Sequence, residues 1–189
     1  IIPRRDRVWD LGGVATRMAA ALEAAERPVP TYLKALSIEH DSEQLETAVF
    51  GMFCFWTGEY ELGSIDGVVT TEAGFYRGRE VTLVRYHQKQ IGLEQLIEEA
   101  AARQCAESVY IENSGAAPQS RLQVKQFDHD RYRRAPSSDQ KKQLQRWLAD
   151  HQELQLTPQQ LTKLNALMAG DREVALSWLS PRQRAHIEP

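Results

Sequence analysis

Cysteine is scarce in this chain: its 189 residues include two cysteines, Cys54 and Cys105, and no CxxC pair. Two cysteines are too few for a scaffold held together by disulfides, and without a CxxC pair there is no sign of a structural zinc site. The five histidines are scattered without metal-ligand spacing, so no metal site is predicted. Two thiols are nevertheless enough for one redox couple.

The chain also lacks an excess of positive charge and any long hydrophobic run. Its formal net charge is -3. Because proteins that bind nucleic acid use an excess of Lys and Arg to contact phosphates, nucleic acid is not expected as a partner. No apolar run approaches the about 20 residues that a membrane-spanning helix needs, so no membrane span is expected. The hydrophobic content of 42% and the charged content of 26% are typical of globular proteins.

An initiating methionine is absent as well, since the sequence begins with Ile1. A cleaved signal peptide and a shortened N-terminus would both explain this beginning. Together with the additional segments at both ends described next, it favours a periplasmic or exported protein, with a cytoplasmic location as the alternative.

Composition divides the chain into three regions. Residues 1–43 form an N-terminal arm, in which an Ala-, Leu- and Glu-rich helix is broken at Pro28 and Pro30. Residues 44–134 alternate β-rich and helical segments and form the predicted catalytic core. Residues 135–189 form a helical C-terminal extension in which no catalytic constellation is visible.

Capping signals predict the helices of the extension. The segment "SSDQKKQLQRWLADHQEL" predicts a helix with Ser137 or Ser138 as its N-cap. The segment "LTPQQLTKLNALMAG" predicts a second helix, with Thr157 as N-cap and Pro158 at the first helical position. The segment "LSPRQRAHI" resembles a third such start.

The order of elements in the central region predicts the fold. "ETAVFGM" predicts a buried strand, followed by a helix that begins at or near Cys54. Two β-rich segments, "GVVTTEAGFY" and "REVTLVRYH", are joined at "RG", and a helix and a strand follow in "GLEQLIEEAAARQC" and "ESVYIE". The order β-α-β-β-α-β is the split βαβ, ferredoxin-like arrangement of an α+β fold. This fold hosts many unrelated functions, so it does not decide the chemistry.

Cys54 is the first candidate functional residue. A thiol becomes nucleophilic when it ionises, and the N–H groups and dipole at a helix N-terminus favour the thiolate. Cys54 lies where a predicted strand gives way to a predicted helix, and Phe55 and Trp56 would form an apolar surface beside its sulfur. The alternative is a core cysteine among aromatics, since free cysteine is among the most buried residue types.

Four sequence blocks occur in one order between residues 46 and 134. They are "FGMFCFWTGE", "IDGVVTTEAGFYRG", "REVTLVRYHQKQIGLEQLI" and "KQFDHDRYRR". The first resembles Phe-x-x-Gly-Cys-Phe-Trp-Gly-x-Glu, the signature of the peptide methionine sulfoxide reductase A family, and the other three resemble later blocks of that family. The resemblance implies an oxidoreductase of protein repair under oxidative stress, which reduces methionine-S-sulfoxide, free or in peptides. It implies no bound cofactor, but an external thiol reductant such as thioredoxin.

The resemblance also implies roles for single residues. The family's nucleophile corresponds to Cys54, and its methyl-binding aromatics correspond to Phe55 and Trp56. The acid that protonates the departing oxygen corresponds to Glu80, because "EVTLVRY" matches without a gap. The thiolate would attack the sulfoxide sulfur, and the products would be methionine and a sulfenic acid on Cys54. The alternative for Glu80 is a carboxylate on the surface of a strand.

The last block implies two further catalytic residues. The family's second carboxylate corresponds to Asp128 and its tyrosine to Tyr132. The block is one residue shorter than the family's, which leaves Asp130 as the alternative carboxylate. The alternative for Tyr132 is an aromatic that packs on the sheet.

The chain departs from the family's pattern around the site. Phe53 stands where the family has Gly before its cysteine, and Thr57 replaces the Gly after its Trp. Almost nothing lies between Gly78 and Glu80, where the family has a longer loop with a tyrosine that contacts the sulfoxide. Tyr76 is the candidate for that substrate-binding role. A missing loop predicts a more open pocket and reduced or altered activity.

Cys105 is the candidate for a second redox thiol. It would resolve the Cys54 sulfenic acid by forming a disulfide, which a thioredoxin-like donor then reduces. The alternative is a core cysteine at a helix end with no redox role.

A second function remains open at this stage. The same scaffold could have lost turnover and now bind a peptide or copper at the same pocket, with Cys54, His87 and Met52 as soft ligands suited to Cu(I). Glu80 favours the enzyme, because a binding protein needs no proton donor there. The shortened loop favours the binding module.

Overall fold

The computed structural model of this chain describes residues 11–112 and 120–187. The first ten residues of the predicted N-terminal arm lie outside this part. In the described part, helices α1 to α8 span Leu11–Ala24, Thr31–Glu39, Phe55–Ser64, Leu93–Ala102, Gln145–Asp150, Pro158–Leu167, Arg172–Ser177 and Pro181–Arg184. Strands β1 to β6 span Leu45–Gly51, Val68–Tyr76, Arg79–His87, Ser108–Ile111, Gln123–Gln126 and Tyr132–Arg134.

The strands form one sheet in the order β5-β4-β1-β3-β2-β6. Neighbouring strands are antiparallel except β4 and β5, which are parallel. Strand β3 lies between β1 and β2, which are connected through α3, and α4 connects β3 to β4. The predicted β-α-β-β-α-β order and the α+β class are therefore confirmed, and β5 and β6 extend the sheet at its two edges.

The main core lies between the sheet and helices α3 and α4. Phe50 and Val84 from the sheet pack with Leu62 of α3 and with Leu96 and Ile97 of α4, all of them fully buried. Because side chains alternate along a strand, the residues between these positions point to the opposite face of the sheet. We call the two sides the helix-covered face and the opposite face.

A smaller cluster lies on the opposite face. Four residues are buried together there: Val49, Tyr76, Val81 and Phe127. The strand residues among them alternate with those that face the main core. Both faces of the central strands are therefore buried.

The predicted helix at the start of the extension is wrong over most of its length. Ser137–Asp139 form a 3-10 turn preceded by Pro136, and α-helix begins only at Gln145. A contact with a distant residue explains why the helix does not form here. Lys141 adopts a left-handed φ of 49°. Its backbone N–H donates to Glu59 Oε2 at 2.7 Å instead of continuing a helix.

The other predicted helix starts in the extension are confirmed. Thr157 caps α6 in a reciprocal capping box with Gln160, and Pro158 is the first helical residue. Ser180 caps α8 in the same way with Gln183. None of the helices in the described part of the chain combines the length and the apolar character needed to cross a membrane.

The extension supplies a buried cation to the end of α3. Lys163 of α6 is 1% exposed, and its Nζ donates to the carbonyl oxygens of Gly63 at 2.9 Å and Ile65 at 2.8 Å. Burial lowers the pKa of Lys163 to about 8. Carbonyl groups at a helix C-terminus have no partner within the helix, and a cation there is favourable. Lys163 therefore ties α6 to the C-terminal end of α3.

The extension also covers the edge of β2. Strand β6 pairs with residues 74–76 of β2 only. At Ala73 the side chain of Gln140 accepts from the backbone N–H at 3.0 Å and donates to the carbonyl oxygen at 2.8 Å. Further along, Thr71 N–H donates to Thr162 Oγ1 at 3.2 Å. Side chains thus satisfy the N–H groups of Ala73 and Thr71, while the Ala73 carbonyl oxygen also accepts from Ala135 N–H at 2.9 Å.

A buried ion pair joins the extension to the middle of α3. Glu59 is fully buried, and both of its oxygens accept from Lys141, one from the ammonium group and one from the backbone N–H. The ammonium group of Lys141 also donates to the carbonyl oxygen of Thr71. Breaking a buried pair leaves an uncompensated charge, so each partner depends on the other.

We predict that Lys141→Met lowers the free energy of unfolding by about 3–5 kcal/mol, because Glu59 would stay buried without its cation. Urea denaturation measures the change. Lys34→Met, at an exposed position of α2, is the matched control and should change the stability by less than about 0.5 kcal/mol. Equal stabilities of the two variants would contradict the structural role of the pair.

Candidate functional site

The N-terminus of α3 places Cys54. Cys54 is the N-cap of this helix, with an extended backbone (φ -138°, ψ 114°), and is half-buried. Its side chain accepts no hydrogen bond from the backbone N–H groups of the first helical turn. The predicted start of the helix is confirmed, and the sulfur lies at the helix end where the dipole and free N–H groups favour an anion.

Glu80 lies at the same helix end. Its Oε2 accepts from the backbone N–H of Phe55 at 2.9 Å, and its backbone carbonyl accepts from Met52 N–H at 3.2 Å. Glu80 is directly opposite Phe75 across the β2–β3 pair, and the Phe75 ring packs edge-on against Phe55 at 5.5 Å. The predicted nucleophile and the predicted proton donor therefore share one end of the sheet on its helix-covered face.

A buried hydroxyl supports this turn, and sequence reasoning missed it. Thr82 Oγ1 is within hydrogen-bond distance of Met52 Sδ, at 3.2 Å, and of the Phe55 carbonyl oxygen, at 3.3 Å. A Cβ at Gly58 would collide with both Met52 Sδ and Thr82 Oγ1. Glycine inside a helix is unfavourable unless a close approach requires it, so Gly58 was the sequence signal for this contact.

Phe55 and Trp56 begin α3 directly after Cys54, and their substrate-binding role stays a prediction. Phe55 is buried and packs against Trp56 at 5.9 Å between ring centroids. Two cations cover the outer rings: Lys142 Nζ lies 5.0 Å from the Trp56 ring centre, and the Arg133 guanidinium lies 4.6 Å from that of Phe75. Lys142 belongs to the C-terminal extension, so this segment forms part of the surroundings of the site.

Tyr132 and Tyr76 lie on the opposite face of the sheet. They are directly opposite each other across the β2–β6 pair. Because Tyr76 follows Phe75 in β2, its side chain points to the other face of the sheet. The Tyr132 hydroxyl donates to Glu72 Oε1 at 2.7 Å, and burial, followed by this hydrogen bond, raises the pKa of Tyr132. Tyr76 is 1% exposed. The structure does not bring either phenol to the carboxyl of Glu80, and their assigned roles stay predictions.

Asp128 lies in the turn before β6. Its backbone N–H donates to the Tyr76 hydroxyl at 3.2 Å, and its side chain accepts from Asp130 N–H at 3.1 Å. The same carboxylate lies 3.7 Å from Arg131 Nε. These contacts hold the turn together, and the catalytic role of Asp128, like that of its alternative Asp130, stays a prediction.

Cys105 lies in the main core just after α4. It is 6% exposed, and its thiol lies 3.6 Å from the Ala100 carbonyl oxygen. Burial, with a smaller contribution from Glu61, raises the pKa of Cys105 to about 11. A raised pKa reduces the thiolate fraction at neutral pH. The resolving role predicted for Cys105 stays a prediction.

The copper ligands proposed from the sequence do not come together. His87 is opposite Leu45 at one end of the β1–β3 pair, whereas Met52 follows Gly51 at the other end. His87 is six residue steps along the strand from Val81, the partner of Gly51, which is about 20 Å at about 3.3 Å per step. Cys54, His87 and Met52 therefore cannot bind one ion. Elsewhere in residues 11–112 and 120–187, no group of three or more His, Cys, Asp or Glu side chains is placed to hold a metal.

An open groove leads away from Glu80 at this end of the sheet. Its lining includes Gly51, Phe53, Arg79, Glu80, Ser108 and Tyr110. The connection between β2 and β3 is a tight turn in which Arg77 and Gly78 both have positive φ, 51° and 79°. As the sequence predicted, this connection between the two described strands contains no longer loop.

Comparisons with known proteins found relatives of similar sequence. No family model matches the chain. The peptide methionine sulfoxide reductase MsrA of Methanococcus maripaludis strain C7 is 37% identical over a match that covers 28% of this chain and 45% of the relative. MsrA 1 of Synechocystis is 31% identical over 47% of this chain and 51% of the relative.

A solved structure is also similar. Methionine sulfoxide reductase A of Corynebacterium diphtheriae superposes with a TM-score of 0.44 and 16% identity, over 68% of this chain and 84% of that one. The chain spans about half the length of the curated relatives it matches. The sequence matches to these relatives support a divergent member of the peptide methionine sulfoxide reductase A family.

Proposed function

We propose that this chain reduces methionine sulfoxide, free or in peptides, to methionine, with Cys54 as nucleophile and Glu80 as proton donor. The hydrogen bond from Phe55 N–H to Glu80 Oε2 is the observation that supports this most directly. It places a carboxyl group at the helix end that Cys54 caps. Sequence similarity to the family supports the class of substrate.

The proposed reaction moves one oxygen atom. The Cys54 thiolate attacks the sulfoxide sulfur, Glu80 donates a proton to the sulfoxide oxygen, and the sulfur–oxygen bond breaks. The net products are methionine and a sulfenic acid on Cys54. Two external thiols then reduce the sulfenic acid, giving a disulfide and water and restoring Cys54. Glu80 is reprotonated from solvent.

The aromatic side chains beside the thiol would bind the substrate. Trp56 is partly exposed and would offer apolar surface next to Cys54, with the buried Phe55 packed against its ring. Such a surface suits the methyl group and side chain of methionine better than it suits water. The choice of the S epimer is part of the proposal through the family resemblance, since separate enzymes reduce the two epimers.

The proposal also includes the reduction of the Cys54 sulfenic acid back to the thiol. A thioredoxin-like protein would supply the external thiols. Cys105 would first resolve the sulfenic acid, although its thiol must then leave the core in which it is buried. The open site favours direct attack by an external thiol as the other route.

A non-catalytic module that binds methionine-containing peptides on the same surface is the second candidate. The tight turn at Arg77 and Gly78 favours it, because a site without a covering loop excludes water poorly. Glu80 favours the enzyme, since a binding protein needs no proton donor at this position.

We predict that Cys54→Ser abolishes methionine release from a methionine sulfoxide peptide in dithiothreitol, because the hydroxyl is a far weaker nucleophile than the thiolate. Product chromatography measures the release. Turnover that survives this substitution would rule out the enzyme. Absence of turnover in the wild type, with the peptide still bound, would favour the second candidate.

We predict that Glu80→Gln lowers kcat by about 10²–10⁴, because a positioned acid commonly contributes this much. The amide keeps the size of the side chain and can still accept from Phe55 N–H, so the fold should be retained by circular dichroism. Glu99→Gln on the surface of α4, where Glu99 pairs with Arg103, is the matched control. A rate in Glu80→Gln within threefold of wild type would remove the proton donor from the mechanism.

We predict a Cys54–Cys105 disulfide after one equivalent of methionine sulfoxide, detected by peptide mapping. Because the pKa of Cys105 is raised to about 11, its thiolate fraction rises with pH, and the disulfide should form up to about tenfold faster per pH unit from pH 7 to 10. Cys54 found as sulfenic or sulfinic acid with Cys105 free at every pH would exclude the resolving role.

A further inference from the structure

Phe53 is the most exposed large apolar side chain of the described residues, at 93%, and it directly precedes Cys54. Single exposed apolar residues are ordinary on protein surfaces, so exposure alone indicates no function. The position is what distinguishes Phe53 from other exposed apolar residues such as Met18 and Val174, which lie on α1 and α7. The family signature has glycine here, so the ring is a feature of this chain.

The backbone on both sides of Phe53 is fixed. Met52 N–H is bonded to the Glu80 carbonyl oxygen, and Met52 Sδ contacts the Thr82 hydroxyl below. On the other side Cys54 is held as the N-cap of α3. The ring is therefore presented to solvent from a rigid turn, next to the proposed nucleophile.

Phe53 and Glu80 line the same groove, which continues over Gly51 towards Ser108 and Tyr110. Gly51 is directly opposite Ser108 in the β1–β4 pair. A Cβ at Gly51 would collide with Ser108 Oγ, so the absence of a side chain keeps the floor of the groove low. The groove begins at the proposed proton donor and leads away from it along the end of the sheet.

We propose that this groove holds the polypeptide next to the methionine sulfoxide, and that Phe53 packs on an apolar side chain adjacent to the sulfoxide residue. The inference rests on the proposed function and adds a substrate class, namely peptides with a large apolar neighbour. Contact between two apolar side chains removes both from water, which is favourable in proportion to the area buried. Free methionine sulfoxide has no neighbouring residue and gains nothing from Phe53.

The test compares two peptides that differ only in the residue next to methionine sulfoxide, leucine or glycine. The values of kcat/KM are measured with dithiothreitol as the reductant, so that contacts with a reductant protein play no part. Wild type should prefer the leucine peptide about fivefold, and the preference should lie in KM, since the contact is made equally before and during reaction. In Phe53→Ala the ratio should fall to about one.

A substitution beside Cys54 that changes activity in general affects both peptides equally. It therefore cancels in the ratio of kcat/KM for the leucine peptide to that for the glycine peptide. Val174→Ala, which truncates an exposed apolar side chain on α7, is the matched control and should keep the wild-type ratio. A wild-type ratio of one, or an unchanged ratio in Phe53→Ala, overturns the inference.

A second measurement separates this inference from the proposed function. Calorimetric affinities of the two peptides for Cys54→Ser do not depend on turnover. If wild type turns over neither peptide, the proposed function fails. The groove is still supported if Cys54→Ser binds the leucine peptide more tightly than the glycine peptide and this difference disappears in the double variant Cys54→Ser/Phe53→Ala. Equal affinities for the two peptides reject it.

Discussion

One side chain holds the site together: the carboxyl group of Glu80, whose Oε2 accepts from the backbone N–H of Phe55 at the start of α3. The first N–H groups of a helix have no partner within the helix, and here a strand residue supplies one. The backbone carbonyl of the same residue binds Met52 N–H, so Glu80 fixes the turn from both sides. The position of Cys54, between these two contacts, follows from them. Displacement of Glu80 would leave the position of Cys54 less well fixed and would also move the proposed proton donor away from the site.

The same helix is held along its whole length by residues distant in sequence. Glu80 binds its first turn, Lys141 pairs with Glu59 in its middle, and Lys163 binds the carbonyl groups at its end. Two of these three contacts come from the C-terminal extension. Rigidity at a reactive thiol keeps it in one orientation towards its substrate, so the extension contributes to the geometry of the site without supplying a proposed catalytic residue.

Sequence patterns predicted those helices and strands that depend on neighbouring residues in the chain. Strand and helix periodicity gave the central order of elements, and the capping boxes at Thr157 and Ser180 gave the starts of α6 and α8. What failed depended on long-range contacts. The left-handed conformation at Lys141 follows from a buried partner 82 residues away. The face on which Tyr132 lies likewise depends on strand register, which no local pattern specifies.

The contacts of the extension decide where this protein can be divided. A fragment ending at Arg134, the last residue of β6, would retain every residue proposed to act in the reaction. It would also expose the edge of β2, leave Glu59 as a lone anion inside the fold and uncover the end of α3. Such a fragment would be prone to strand-to-strand association. The shortest stable unit that contains the site therefore includes the helices that follow the sheet, and a boundary drawn by homology alone would fall within one cooperative structure.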